Sequence, residues 1–209
     1  MYLIIDTETT GLPIFNKTGY HRFPSYRFLN KYNTSRIVSI SWIVANEKRE
    51  QVKHAYHIIR PLDFTIDNSS KAVEIHGITA EIANEQGISW HVMYDEFIQD
   101  LVKCDTIVAH NIQFDISVLL SEMHRYNKVF GISTLLDKKR ICTMKMGKDK
   151  MGTTKVPKLS ELYEFLYNEP ITNAHNASYD TLYCYKCLER MLQQLEQKDI
   201  GLTVEIPAV

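Results

Sequence analysis

The chain of 209 residues has few of the residues that staple or punctuate small folds: four cysteines, six prolines and eight glycines. Cys104, Cys142, Cys184 and Cys187 form no dense disulfide framework, and only the last two are close, with no second pair to complete a zinc site. This usage fits a reducing, intracellular compartment, the cytoplasm, and no basic region precedes the acid at position 6 as a secretion signal would require. No stretch approaches the ~18–20 uninterrupted apolar residues of a membrane helix, so no membrane partner is expected. Neither sign of charge dominates, since 24 basic and 25 acidic side chains leave a formal net charge of -1. A simple polycation that coats nucleic acid is thereby excluded.

What is present, 44% hydrophobic and 23% charged residues, describes one globular domain over residues 1–209. Such a chain can bury ~70% of its unfolded surface without disulfides or structural metals, so any metal would serve chemistry. Charge is nonetheless unevenly placed. A basic, aromatic insert at about 14–36 holds Lys17, Arg22, Arg27, Lys31 and Arg36 with no acid, among Phe15, Tyr20, Phe23, Tyr26, Phe28 and Tyr32. Residues 138–158 hold eight basic side chains against Asp149 alone. Cations that track phosphates and rings that stack bases suit a single strand; the alternative for the insert is aromatics packed on the domain and cations left in water.

Periodicity predicts strands at Tyr2–Ile5, Ile37–Val44 and Val52–Ile59, the last two joined by a short polar link that implies antiparallel pairing. A Pro/Asp/Asn/Ser-rich loop follows from Pro61. Ser89 reads as the N-cap of a helix with apolar positions Trp90, Met93, Tyr94, Phe97, Ile98 and Leu101. Thr106–Ala109 reads as a buried strand before a helix through Ile116, Leu119, Leu120 and Met123. Ile141–Met144 is a candidate last strand, Leu159–Leu166 a helix, and Leu188, Met191, Leu192 and Leu195 the stripe of a long C-terminal helix, with a short tail from about 197. The fold class is α/β, a mixed sheet with helices.

Three segments carry chemistry. Asp6 and Glu8 lie two apart at the end of the first strand and so share a face. Asp115 follows the strand that ends at His110, near the sheet edge where open α/β folds hold their sites. His175 precedes a helix and Asp180 lies about one turn inside it. Each has a bland alternative: a solvated strand end, a helix-dipole acid, an exposed helix start. Four carboxylates in one pocket stay ionised only beside cations, and hard oxygen ligands select magnesium or manganese. Two such ions ~3.5–4 Å apart suit in-line phosphoryl displacement. His175 is then free to take a proton from water. His54 and His57, three apart on a strand, make a poor metal pair, and Cys184-x-x-Cys187 lies in a helix as two plain thiols.

Asp6-Thr7-Glu8-Thr9-Thr10-Gly11-Leu12, His110-Asn111-x-x-Phe114-Asp115 and His175-x-Ala177-x-x-Asp180 resemble, in order and spacing, the three exonuclease motifs of the DEDD superfamily, in the DEDDh subgroup. Glu74-Ile75-His76-Gly77-Ile78-Thr79 resembles a further family segment, so the similarity spans about residues 1–195 and extends to the proofreading epsilon subunit of bacterial replicative DNA polymerase. The resemblance implies a ribonuclease H-like five-stranded sheet, three antiparallel strands followed by two parallel ones, flanked by helices. It implies 3′-to-5′ hydrolysis releasing nucleoside 5′-monophosphates, with two Mg2+ ions, or Mn2+ in their place. Asp6, Glu8, Asp115 and Asp180 would be catalytic metal ligands and His175 the general base. Thr9, Leu12, His76, Asn111 and Phe114 would hold the terminal nucleotide; for His76 and Phe114 core packing is the alternative.

The expected partner is a single-stranded or frayed 3′ end, DNA favoured over RNA, with a DNA polymerase as a candidate protein partner. The rivals are a 3′-to-5′ exoribonuclease with the same chemistry and a polymerase-accessory module with a vestigial site. Oligomeric state is not legible in the sequence.

Overall fold

In the computed structural model, residues 1–15, 23–172 and 175–202 are described. Five strands run β1 (Tyr2–Thr9), β2 (Ile37–Ala45), β3 (Gln51–Ile58), β4 (Thr106–Ala109) and β5 (Lys139–Cys142). Among the described residues eight α-helices accompany them: α1 (Lys71–His76), α2 (Ala80–Gln86), α3 (Trp90–Lys103), α4 (Ile112–Arg125), α5 (Val129–Asp137), α6 (Thr143–Met151), α7 (Leu159–Tyr167) and α8 (Ala177–Leu202). The sheet order is β3-β2-β1-β4-β5. β1 pairs antiparallel with β2, which pairs antiparallel with β3, while β1–β4 and β4–β5 are parallel. The expected mixed sheet of three antiparallel and two parallel strands is therefore present.

Both faces of the sheet are covered, which is why every residue of β2 is buried. Leu3, Ile5, Ile40, Trp42 and Ile107 pack on α3 and α4 through Met93, Phe97, Leu101, Ile116 and Leu119. Ile4, Ile43 and Val108 pack on α8 through Cys184 and Leu188. Period-two alternation along β1 thus sends odd positions to α4 and even positions to α8. Among the described residues, no helix is long and apolar enough to cross a membrane.

Several local expectations shift. The loop after Pro61 contains α1 and α2, each started by a hydroxyl that accepts a backbone N–H, Ser70 from Val73 and Thr79 from Ile82, both at 3.3 Å. Gly77, at φ 73, closes α1 in the left-handed region. The last strand ends at Cys142, opposite Ala109, so Met144 lies in α6 instead. Its ladder can extend no further because Thr143 turns away to meet the His110 side chain at 3.1 Å. α8 continues to Leu202, beyond the tail start expected near 197, and Leu195 of the expected stripe is 48% exposed. Ser89 does cap α3, accepting from Val92 at 3.3 Å.

The insert is split between two fates. Tyr32 is buried and donates its hydroxyl to the Pro24 carbonyl at 2.6 Å. Arg36, counted above among the cations, is buried and not available to a strand: its Nε and Nη2 meet Glu122 of α4 at 2.5 and 3.2 Å, and Nη2 also meets Asp63 at 2.7 Å. A buried guanidinium needs such partners. Arg27 and Phe28 remain exposed. Lys17, Tyr20 and Arg22 lie outside the described residues.

Candidate active site

β1 positions the first two acids. Asp6 and Glu8 are even positions facing α8, where Asp180 sits in the first turn, and Asp6, Glu8 and Asp180 each offer a carboxylate oxygen within 4.8 Å of the others. Asp115 approaches from the opposite face. It is buried in the first turn of α4, and its Oδ1 accepts from the Thr7 backbone N–H at 3.1 Å and the Thr7 hydroxyl at 2.9 Å. The sheet edge therefore brings all four acids to one place, with three in the tight set and Asp115 held beside it by an odd-numbered residue of the same strand.

No lysine or arginine forms an ion pair with these acids among the described residues. Their pKa values rise accordingly. Burial, then the charges of Asp115, Glu8 and Asp180, lifts Asp6 well above the ordinary carboxylate range. Burial, then Asp180 and Asp115, raises Glu8 to about 8. Burial raises Asp115 to about 7 against the Thr7 hydrogen bonds that lower it. Asp180 is raised by burial, opposed by the His175 backbone N–H that donates to its Oδ2 at 3.0 Å. Clustered hard-oxygen donors lacking a protein cation are a donor set that fits divalent magnesium or manganese.

Two backbone positions here are left-handed: Asn111 at φ 71 and His175 at φ 66. Asn111 starts α4 without a side-chain cap and directs the chain from β4 into the helix that carries Asp115. His175 is exposed beside Asp180, in a conformation uncommon for a residue with a Cβ, as functional sites often hold. A bulge in the β1–β2 ladder between Glu8 and Thr9 re-aims the strand end. Arg36 then ties that end down, donating its N–H to the Thr10 hydroxyl at 3.0 Å and accepting the Thr10 N–H at 2.9 Å.

A pocket of about 500 Å³ opens beside Glu8, walled by Thr9, Leu12, Ile75, His76 and Phe114, with Lys71 at its margin. Of the five residues expected to hold a nucleotide, four line it; Asn111 does not. Leu12 is 66% exposed and free to touch a ligand. Phe114 is half-buried, lines this pocket and also packs against the core and Phe23. The His76 Nδ1 accepts from Ile78 N–H at 3.0 Å, and its buried Nε2 lies near the Thr9 backbone without a well-formed hydrogen bond. A second hollow of about 440 Å³ shares the Ile75–His76 wall and is bordered by His175 and Tyr179. Sequence reasoning missed Thr7, Lys71 and Ile75. Thr7 had a signal, because period two turns it from Asp6 toward the α4 face.

The remaining sequence candidates behave as plain structure. His54 meets Ser41 and Ser178 at 3.1 and 3.3 Å on one face, and His57 meets Glu96 at 2.8 Å on the other. Cys184 and Cys187 are buried free thiols, the latter pushed up to about 12 by burial.

A family model described as Exonuclease matches residues 3–188. The chain belongs to the exonuclease family. This nuclease hydrolase is 26% identical over 200 residues to the 3′-5′ exonuclease DinG of Staphylococcus haemolyticus, covering 95% of this chain but 19% of that protein. It is 25% identical over 196 residues to the DinG of Staphylococcus epidermidis, covering 94% and 18%. The exonuclease domain thus spans less than a fifth of the relatives it matches. In fold it is similar to E. coli exonuclease I in a zinc-bound complex with single-stranded DNA, at TM-score 0.64 and 16% identity, covering 96% of this chain and 42% of the other. It is also similar to a product-bound exonuclease I, at TM-score 0.67 and 15% identity, covering 97% and 46%. At such identities the likeness speaks for the fold alone.

Proposed function

We propose that this exonuclease removes nucleotides from the 3′ end of DNA, in proofreading or end trimming, and releases nucleoside 5′-monophosphates. The observation that carries the reading is the set of Asp6, Glu8 and Asp180 oxygens within 4.8 Å, with Asp115 beside it and the His175 backbone bonded to Asp180. In this reading the four acids hold two Mg2+ ions, for which Mn2+ substitutes. Bound there, the metals would offset the carboxylate charge and that developing on the attacking and leaving oxygens. His175, exposed and anchored to Asp180 through its backbone, takes the proton from the attacking water. The new bond joins water oxygen to phosphorus, and the bond to the 3′ oxygen of the penultimate nucleotide breaks.

The pocket beside Glu8 is the proposed seat of the terminal nucleotide. Its volume of about 500 Å³ lies within the ordinary range for small-ligand sites, and Leu12, Ile75 and Phe114 give it an apolar lining suited to a base. Thr9 offers a polar contact to the sugar and the His76 ring shapes the wall behind it, its Nε2 being buried, while Asn111 acts by setting the start of α4. DNA is favoured over RNA because solved neighbours of the same fold are exonuclease I bound to single-stranded DNA and deoxyoligonucleotides. Residues 1–209 act as a single domain in this reading, in the cytoplasm, where four free thiols stay reduced. A DNA polymerase is a proposed partner. The presence of every acid and His175 weighs against a vestigial site.

The test uses matched DNA and RNA oligonucleotides labelled at the 5′ end, with and without Mg2+ or Mn2+, beside Asp6→Ala and His175→Ala. A metal-dependent ladder shortening from the 3′ end, faster on DNA and lost in both variants, is expected. A faster ladder on RNA would replace the substrate, and tight binding without turnover would replace the enzyme by an accessory module.

A further inference from the structure

Asp6 and Glu8 sit on β1, the middle strand, with Asp115 and Asp180 brought to it by α4 and α8, and different groups flank them on each side. Toward β3 lie His175, the hollow it shares with Glu74, His76 and Tyr179, and the contact between Ser178 and His54. Toward β5 lies His110, whose Nδ1 meets the Thr143 hydroxyl and whose Nε2 meets the Pro157 carbonyl, each at 3.1 Å. A carbonyl only accepts, so Nε2 carries the proton and Thr143 donates to Nδ1. Burial holds that imidazole neutral, with its pKa at about 4. Thr143 also touches Cys184, one helical turn beyond Asp180, at 3.5 Å. The start of α6 and the loop before α7 are therefore fixed at the catalytic edge of the sheet.

That edge is basic. Lys145 and Lys148 stand on α6 and Lys155 and Lys158 on the following loop; three of these are exposed and Lys148 is partly so. Their single ion pair among the described residues joins Lys155 to Glu161 at 3.9 Å, with the side chains 76% and 44% exposed, a contact of little energy. The neighbouring acids are Asp149, exposed on α6, and Glu161, which accepts the Lys158 backbone N–H at 2.7 Å.

Displacement at phosphorus is in line, so attacking water and departing 3′ oxygen lie on opposite sides of the phosphorus. If His175 activates the water, as the proposed function holds, the attack comes from the β3 side and the strand left behind departs toward β5. We infer that α6 and the loop before α7 form the track for that strand, with Lys145, Lys148, Lys155 and Lys158 meeting the phosphates on the 5′ side of the scissile bond. Such contacts read backbone and not sequence, so the track serves any single strand long enough to reach it.

The experiment compares a dinucleotide, which has no phosphate on the 5′ side of the scissile one, with a strand of about 20 nucleotides, using Lys145→Ala, Lys148→Ala, Lys155→Ala and Lys158→Ala combined in one variant. The expected result is a fall of roughly 10–100-fold in kcat/KM on the long strand relative to the dinucleotide, and a loss of ~0.7 per removed contact from the slope of log affinity against log salt. Affinity measured by fluorescence anisotropy without divalent cation reads the same slope independently of turnover. An unchanged slope, or equal losses on both substrates, overturns the track. So would transfer of the effect to Arg27→Ala with Lys31→Ala, which would assign the strand to the other face. A wild type that cleaves neither substrate would overturn the exonuclease reading, whereas one that cleaves both while the lysine variant matches it overturns the track alone.

Discussion

Thr7 donates both its backbone N–H and its hydroxyl to the same oxygen of Asp115, at 3.1 and 2.9 Å. The two residues are 108 positions apart, and the contact joins the strand carrying Asp6 and Glu8 to the helix carrying the fourth acid. Because both hydrogen bonds favour the carboxylate form, they oppose the burial that raises Asp115. Thr7→Val keeps the shape and the backbone donor but deletes the hydroxyl. A charge-assisted bond of about 1.5 kcal/mol predicts a ~10-fold fall in kcat with little change in KM. Steady-state kinetics at saturating Mg2+ would check it; an unaltered kcat would mean that the backbone N–H alone holds Asp115.

Divalent cation should stabilise the fold more at higher pH. An acid whose pKa is raised on folding binds more protons folded than unfolded, so stability without metal falls as pH rises from the ordinary carboxylate value of ~4 toward the folded value. With Glu8 at about 8 and Asp115 at about 7, cations displace protons at pH 6 and meet ionised oxygens at pH 8.5. The gain in Tm from Mg2+ or Mn2+ is expected to be larger at pH 8.5, and a gain independent of pH would contradict the shifts.

Removing one of the repelling acids should stabilise the metal-free protein while silencing it. Asp180→Asn can still accept the His175 N–H but no longer charges the set. At pH 8 without divalent ions its Tm should rise by a few degrees, at ~2–4 °C per kcal/mol for this length. Cleavage should fall below detection, and the Mg2+ gain in Tm should shrink. A lower Tm would show that Asp180 supports the fold in other ways.

Acid should loosen the edge near Pro157. A histidine whose pKa is depressed on folding contributes stability that is present above ~6.5 and lost as pH falls through the folded value. For His110 that value is about 4, so the window is pH 6.5 to 4, with a loss on the order of 3 kcal/mol. Urea unfolding across that range should show the loss in the wild type and a flatter profile in His110→Gln.

The buried pair of Arg36 and Glu122 should be costly to break from one side only. Arg36→Met leaves Glu122 uncompensated and should lose about 3–5 kcal/mol, whereas Arg36→Met with Glu122→Leu should recover much of it. Urea midpoints would decide, and equal losses in single and double variants would count against the pairing as the cause.

The sequence by itself determined the first four strands, the helix after Ser89 and which acids to weigh as a set, because period and capping are local and the three motifs follow one another in order; the last strand was displaced by a few residues. Period two also implied that Asp6 and Glu8 share a face. It could not say what stands opposite. Arg36 reads as one more cation in a basic stretch, and only a partner 86 residues away makes it a buried strut. The helices over 71–76 and 80–86 are too short to carry a periodic signal, and capping by Ser70 and Thr79 together with packing on Val38 brings them out. Which acids form the tight set, which side His175 occupies and which edge carries the exposed lysines all depend on strand order. Strand order is decided by long-range pairing and packing of both sheet faces, where residues distant in sequence meet and no local pattern can encode the meeting.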